Sequence, residues 1–129
     1  MVRKNVRMNV LIVEPDGALR ARRVAAFADA GHRAVSTSHA DKALSLLRRR
    51  SFDLMLVDPF AERDPNLSIL VVSRVSAPYC RIVLLTASTL FVSGELFSIL
   101  PASIDILRAP IADRDLIIFC EETRMRLSA

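Results

Sequence analysis

Three short, wholly apolar runs set the tightest limit on how this chain can fold: Val10–Val13, Leu54–Val57 and Ile82–Leu85. None shows the polar–apolar alternation of a strand with one wet face. A strand of this composition is buried on both faces, as happens when helices cover both sides of a parallel sheet. With their flanks, the runs read as strands over Asn9–Val13, Asp53–Val57 and Arg81–Leu85. Each apolar run stops at a polar residue: Glu14, Asp58 and Thr86.

The segments between them carry helical spacing. Asp16 and Gly17 open a helix with Leu19, Val24, Phe27 and Ala28 inward and Arg20, Arg22, Arg23 and Asp29 outward. Gly31 ends it, because glycine takes the left-handed conformation past a helix end at little cost. Arg33–Ser36 reads as a weaker edge strand. Ser38 is the expected cap of a helix reaching Arg50, with Ala43, Leu44 and Leu47 inward. Further helices are expected from Asn66 or Leu67 to Val75, from Ser88 or Thr89 to Leu100, and from Pro110 through Met125. A last strand falls at Ile104–Leu107. The order, strand then helix five times, predicts one α/β domain over residues 1–129. That domain is a doubly wound, three-layer sandwich around a five-stranded parallel sheet.

Composition narrows the function classes. The formal charge is +4, carried by 16 Arg and 2 Lys, with no Trp and one Tyr. Few aromatic rings are available to stack on bases, and the cations are scattered or sit at helix ends, so nucleic acid is not an expected partner. Cys80 and Cys120 are too few for a disulfide framework or a four-ligand zinc site and read as small buried hydrophobes. No stretch supplies the roughly 20 apolar residues of a membrane span. The run after Arg3, Lys4 and Arg7 is too short for a signal peptide. A cytoplasmic protein without a membrane partner is expected.

In open α/β sheets, sites lie past the carboxyl ends of the strands, where the strand order reverses. Here those positions hold Glu14, Pro15 and Asp16, then Asp58, then Thr86, then Arg108, Ala109 and Pro110. The first turn lacks the glycine fingerprint of dinucleotide binding, and the chain has no phosphate-cradling Gly-Lys-Ser/Thr loop or nucleophile elbow. His32 and His39 are expected away from this rim, without a ligand-spaced partner. An enzyme reading has only a lone Asp and Thr to stand on.

The segments Val10-Leu-Ile-Val-Glu-Pro-Asp16, Asp41-Lys-Ala-Leu-Ser-Leu-Leu47, Phe52-Asp-Leu-Met-Leu-Val-Asp58, Ile82-Val-Leu-Leu-Thr-Ala87 and Ile106-Leu-Arg-Ala-Pro110 give the chain its likeness. In this order and spacing they resemble the receiver domain of bacterial two-component response regulators. The resemblance implies flavodoxin-like topology and a non-enzymatic signalling role. In that family a kinase histidine passes a phosphoryl group to an aspartate after the third strand, with Mg²⁺ held by an acidic pair.

Carried over by position, the resemblance makes Asp58 the phosphoacceptor and Thr86 the switch hydroxyl, with Glu14, Asp16 and Asp58 as weak metal candidates. It also exposes departures. Pro15 stands where the second acid belongs, Ala109 where a lysine belongs, and Ile106 where an aromatic switch belongs. Arg108 alternates to the other side of its strand. The loop from Pro59 to Asn66 lacks the usual Met-Pro and later Gly. Weak Mg²⁺ binding and impaired phosphorylation follow, with signalling by protein–protein contact in a phosphorelay or two-component pathway. The alternative is a single-domain response regulator phosphorylated on Asp58 by a histidine kinase. The family's output face, built from the last two helices and the strand between them, here carries Leu90, Phe91, Phe97, Ile106 and Ile118. It is a candidate surface for a signalling partner or a homodimer.

Overall fold

The computed structural model describes residues 7–60, 68–87 and 104–128, with side chains to residue 124 in the last stretch. The strands are β1 (Asn9–Val13), β2 (Arg33–Thr37), β3 (Leu54–Val57), β4 (Arg81–Thr86) and β5 (Ile104–Arg108). They form one parallel sheet in the order β2-β1-β3-β4-β5. The described helices are α1 (Gly17–Asp29), α2 (Ala40–Arg49), α3 (Ser68–Ser76) and α4 (Asp113–Ser128). This is the expected doubly wound, flavodoxin-like order, which reverses direction between β1 and β3. The helix expected over 88–100 lies outside the described residues, and so do Leu90, Phe91 and Phe97.

The apolar runs explain the layers. Leu11, Val13, Met55, Val57, Ile82 and Leu84 face one side and pack on Ala43 and Leu47 of α2 and on Ile69 and Leu70 of α3. The alternate residues Val10, Ile12, Leu54, Leu56, Val83 and Leu85 pack on Phe27 of α1 and on Leu116, Ile117 and Cys120 of α4. Burying each such side chain contributes about 1.5–3 kcal/mol, so a polar residue in these strands has no favourable side to face.

Helix ends show where local reading succeeds and where packing overrides it. The Asp16 carboxylate caps α1 by accepting from the Leu19 N–H at 3.0 Å, and Gly31 adopts φ +93° past its end. Ala28 is exposed rather than inward. Arg20 and Arg23 are half-buried rather than outward, because their long stems let the guanidinium groups fold back over the β1–α1 turn. The cap position of α2 is His39 rather than Ser38, and it makes no side-chain cap bond. Pro110 does not open α4. The Ala109–Pro110 peptide is cis, and the helix begins at Asp113, with Asp113 and Asp115 complementing its positive end.

His32 ties three elements together at the amino end of the sheet. Its buried ring accepts the Met8 N–H at Nδ1 (3.1 Å), and its Nε2 lies 2.8 Å from Glu121 Oε2 on α4. An accepting Nδ1 places the ring proton on Nε2, which therefore donates to Glu121. Nearby, Asp53 accepts from the Asn9 N–H at 2.8 Å, and Arg81 pairs with Asp105 at 2.8 Å across β4 and β5. Cys80 and Cys120 are both free and buried. Burial pushes each thiol up to about 12, with help from Asp53 at Cys80 and from Glu121 and Asp105 at Cys120. Both stay neutral at physiological pH.

Candidate functional site

Parallel registration brings the predicted rim together. Val13 pairs with Val57, so Glu14 and Asp58 leave the carboxyl edge side by side, at the point where strand order reverses. Val57 pairs with Leu84, which puts Thr86 on the next strand, one residue beyond the level of Asp58. Asp58 is half-buried, and its Oδ1 accepts the Phe60 N–H at 2.9 Å in a turn over Pro59. Thr86 is buried, and its carbonyl accepts the Ala109 N–H at 3.0 Å. Beside Asp58 the crevice is only about 20 Å³, lined by Val13, Pro15, Ser38, Ala40, Pro59 and Ile69 among others. That is room for about one water.

Glu14 is the acid best placed to face Asp58 across the strand ends, yet both its oxygens are engaged. Oε1 takes a 3.0 Å bond from Arg23 Nη1, and Oε2 takes a 3.0 Å bond from the Asp16 N–H. Arg20 closes the same turn from the other side, donating to the Glu14 carbonyl at 2.9 Å and the Pro15 carbonyl at 3.4 Å. The Asp16 carboxylate is turned to the Leu19 N–H as a helix cap.

Mg²⁺ prefers an octahedral set of hard oxygens and tolerates little departure from it. Glu14 and Asp16, as arranged, do not fit that ion: one is paired with an internal guanidinium and the other is a cap. Among the described residues no three His, Cys, Asp or Glu side chains are grouped to hold a metal.

The positions where the sequence departs from the receiver pattern fall as follows. Pro15 is exposed, and Ala109 packs into the α1/α4 layer. Ile106 packs into the α2/α3 layer, while Arg108 is exposed. Ile118 is half-buried, and Leu116 and Ile117 beside it are buried in the α1/α4 layer. His32 is indeed at the opposite edge. His39 is not: it follows the carboxyl end of β2, and that expectation is corrected. Sequence reasoning missed Arg20 and Arg23. Their signal was the spacing of three on one helix face, one turn beyond a strand-end acid.

No family model matches the chain. The alginate biosynthesis transcriptional regulatory protein AlgB of Pseudomonas aeruginosa is 29% identical over 120 residues, which is 93% of this chain and 24% of that protein. This chain therefore spans about a quarter of the length of the curated bacterial relatives it matches. A CheY-like response regulator receiver domain from Methanospirillum hungatei superposes with a TM-score of 0.81 over 94% of this chain and 96% of that one, at 18% identity. The chain has the fold of a receiver domain. The chemotaxis protein CheY4 of Vibrio cholerae agrees, with a TM-score of 0.77 at 17% identity over 92% of this chain and 99% of that one. The receiver fold accounts for the strand order and for the clustering of Glu14, Asp58 and Thr86 at one edge. No helix among the described residues is long and apolar enough to cross a membrane.

Proposed function

We propose that this receiver domain, extending over residues 1–129, signals by protein–protein contact and that Mg²⁺-dependent phosphorylation of Asp58 is impaired. The observation that carries this reading is the engagement of Glu14 by Arg23 and the Asp16 amide, which occupies the acid a divalent ion needs. Pro15 adds no ligand, and Ala109 supplies no cation to offset charge on a phosphoryl group; a lost charge-stabilising donor commonly costs about 10²-fold or more in rate. The partner is a histidine kinase or another signalling protein of a two-component pathway, in the cytoplasm. The module acts without catalysing a reaction of its own on a small substrate. A homodimer through Ile106, Ile118 and the residues 90, 91 and 97 belongs to the same proposal.

A second reading is a working response regulator phosphorylated on Asp58. What favours it is the retention of Asp58 at the switch point and of Thr86 on the adjacent strand end. Intact-mass spectrometry after incubation with acetyl phosphate, with and without Mg²⁺, separates the two. Wild type without an adduct supports the first reading. A Mg²⁺-dependent adduct that Asp58→Ala abolishes overturns it in favour of the second.

A further inference from the structure

β2 is an outer strand, with β1 on one edge and the other edge open. At the carboxyl half of that open edge lies a cavity of about 450 Å³, separate from the Asp58 crevice. Arg20 reaches it from α1; Ser36, Thr37 and Ser38 line it; and Lys42, Ser45 and Leu46 of α2 flank it, so that it is a shallow hollow widely open to solvent. The lining thus holds two cations, four hydroxyls and no carboxylate.

These donors are open to solvent and have few partners within the protein. Among the described residues, Lys42 and the hydroxyls of Ser36, Ser38 and Ser45 make no hydrogen bond or ion pair. Thr37 Oγ1 accepts a long 3.4 Å bond from the His39 N–H, so its own proton remains to be donated. Arg20 holds the Glu14 and Pro15 carbonyls through Nη1 alone. The positive end of α2 lies beside Ser38, and His39 there provides no side-chain cap. Asp41, the acid of that first turn, does not line the cavity.

Paired cations with surplus hydroxyl donors suit a tetrahedral oxyanion, which accepts on every oxygen. The hollow is far larger than the crevice beside Asp58, which has room for about one water. Leu46 offers the single apolar surface against which a small organic group could rest.

We propose that this cavity at the open edge of β2 binds the phosphate of a small phosphomonoester through Arg20, Lys42 and the serine and threonine hydroxyls. The site is independent of Asp58. Through Arg20 it adjoins the turn that holds Glu14, so occupancy would be felt at the receiver rim.

Backbone amide NMR of the full chain tests this, with inorganic phosphate, ribose 5-phosphate and ribose as probes. Ribose 5-phosphate is expected to shift the amides of residues 36–38 and 42–46 saturably, inorganic phosphate to shift the same amides more weakly, and ribose to leave them unmoved. Lys42→Glu and Ser45→Asp each place a negative charge at an accessible lining position and should weaken binding about tenfold or more. Asp58→Ala should bind as wild type does. The proposal falls if no saturable shift appears, if shifts spread over Arg48, Arg49 and Arg50 instead, or if inorganic phosphate binds and the ester does not. Loss of binding in Asp58→Ala would move the site to the rim and overturn it too, whatever the outcome of the acetyl phosphate experiment.

Discussion

Replacing Arg23 with methionine keeps an apolar stem at this α1 position and removes the cation that holds Glu14. The pair is nearly dry, with side chains 12% and 10% exposed. Removing one partner of a buried ion pair costs about 3–5 kcal/mol, because the other charge is left uncompensated. Two features of this site lower the figure. The Asp16 N–H still donates to Glu14 Oε2, and the Nε of Arg23 is itself buried without an acceptor, so its removal relieves a desolvation cost. Arg23→Met should therefore destabilise by about 2–3 kcal/mol. Glu14→Gln should cost about as much, about 2–3 kcal/mol, because it leaves the buried Arg23 cation uncompensated while the amide oxygen still accepts only one of the two bonds. In a double-mutant cycle read by urea unfolding, the two changes should couple by at least about 1 kcal/mol. A loss for Arg23→Met within about 0.5 kcal/mol, or a coupling near zero, would refute the idea that this pair locks the β1–α1 turn. The same variant tests the metal argument: Mg²⁺ should raise the unfolding midpoint of Arg23→Met and leave wild type unchanged, because binding to the native state stabilises it by mass action. An equal rise in wild type would show that the guanidinium does not keep the ion out.

Other parts of the fold make sharper, smaller predictions. His32→Phe leaves the N–H of the fully buried Met8 without an acceptor and should lower stability by about 1–3 kcal/mol; a thermal melt within a degree of wild type would show that another acceptor replaces the ring. Gly31→Ala meets no neighbour within 4 Å, so its cost is the left-handed backbone alone, about 1–2 kcal/mol, and urea midpoints indistinguishable from wild type would contradict that. With Cys80 and Cys120 pushed up to about 12 in the native state and titrating near 9 once unfolded, the native state binds more protons between those values. Their contribution is intact below pH 9 and declines as pH rises toward 12, the direction required when the native pKa is the higher one. A wild-type alkaline slope no steeper than that of the Cys80→Ala, Cys120→Ala double variant would refute the assignment.

Much of the rim is legible along the chain. A strand apolar at every position must be buried on both faces, so the residue that follows it is the first able to meet water. Asp58 stands out on that ground and is half-buried at the edge, whereas Thr86, the last residue of β4, is buried and does not meet water; registration places the two on neighbouring strands. Helix starts are less legible. Ser38 and Pro110 carry strong local signals for opening a helix, yet α2 begins after His39 and α4 at Asp113. The path from the strand end onto the sheet decides where the first turn can form, and a local preference of about 1 kcal/mol yields to it. The corrected positions of Arg20, Arg23 and Ala28 have a related cause. Periodicity assigns a residue to a face by polarity, while a long arginine can lie along an apolar surface and deliver its charge elsewhere.

The sheet follows from the order of residues alone: three doubly buried runs at helix-length spacing admit a parallel, doubly wound arrangement and place the chemistry at its carboxyl edge. Which charges meet at that edge is settled only when the chain is packed in three dimensions. Glu14 reads as a metal ligand in one dimension, and becomes the partner of Arg23 because α1 returns over the β1 end with that guanidinium facing inward. Likewise Arg20, Ser36 and Lys42 surround one cavity only because α1 and α2 flank the same edge strand from opposite faces. Hydrophobic burial acts on each strand as a local pattern, so it can be read along the chain. Charge pairing depends on distance in space, and no spacing along the chain records it.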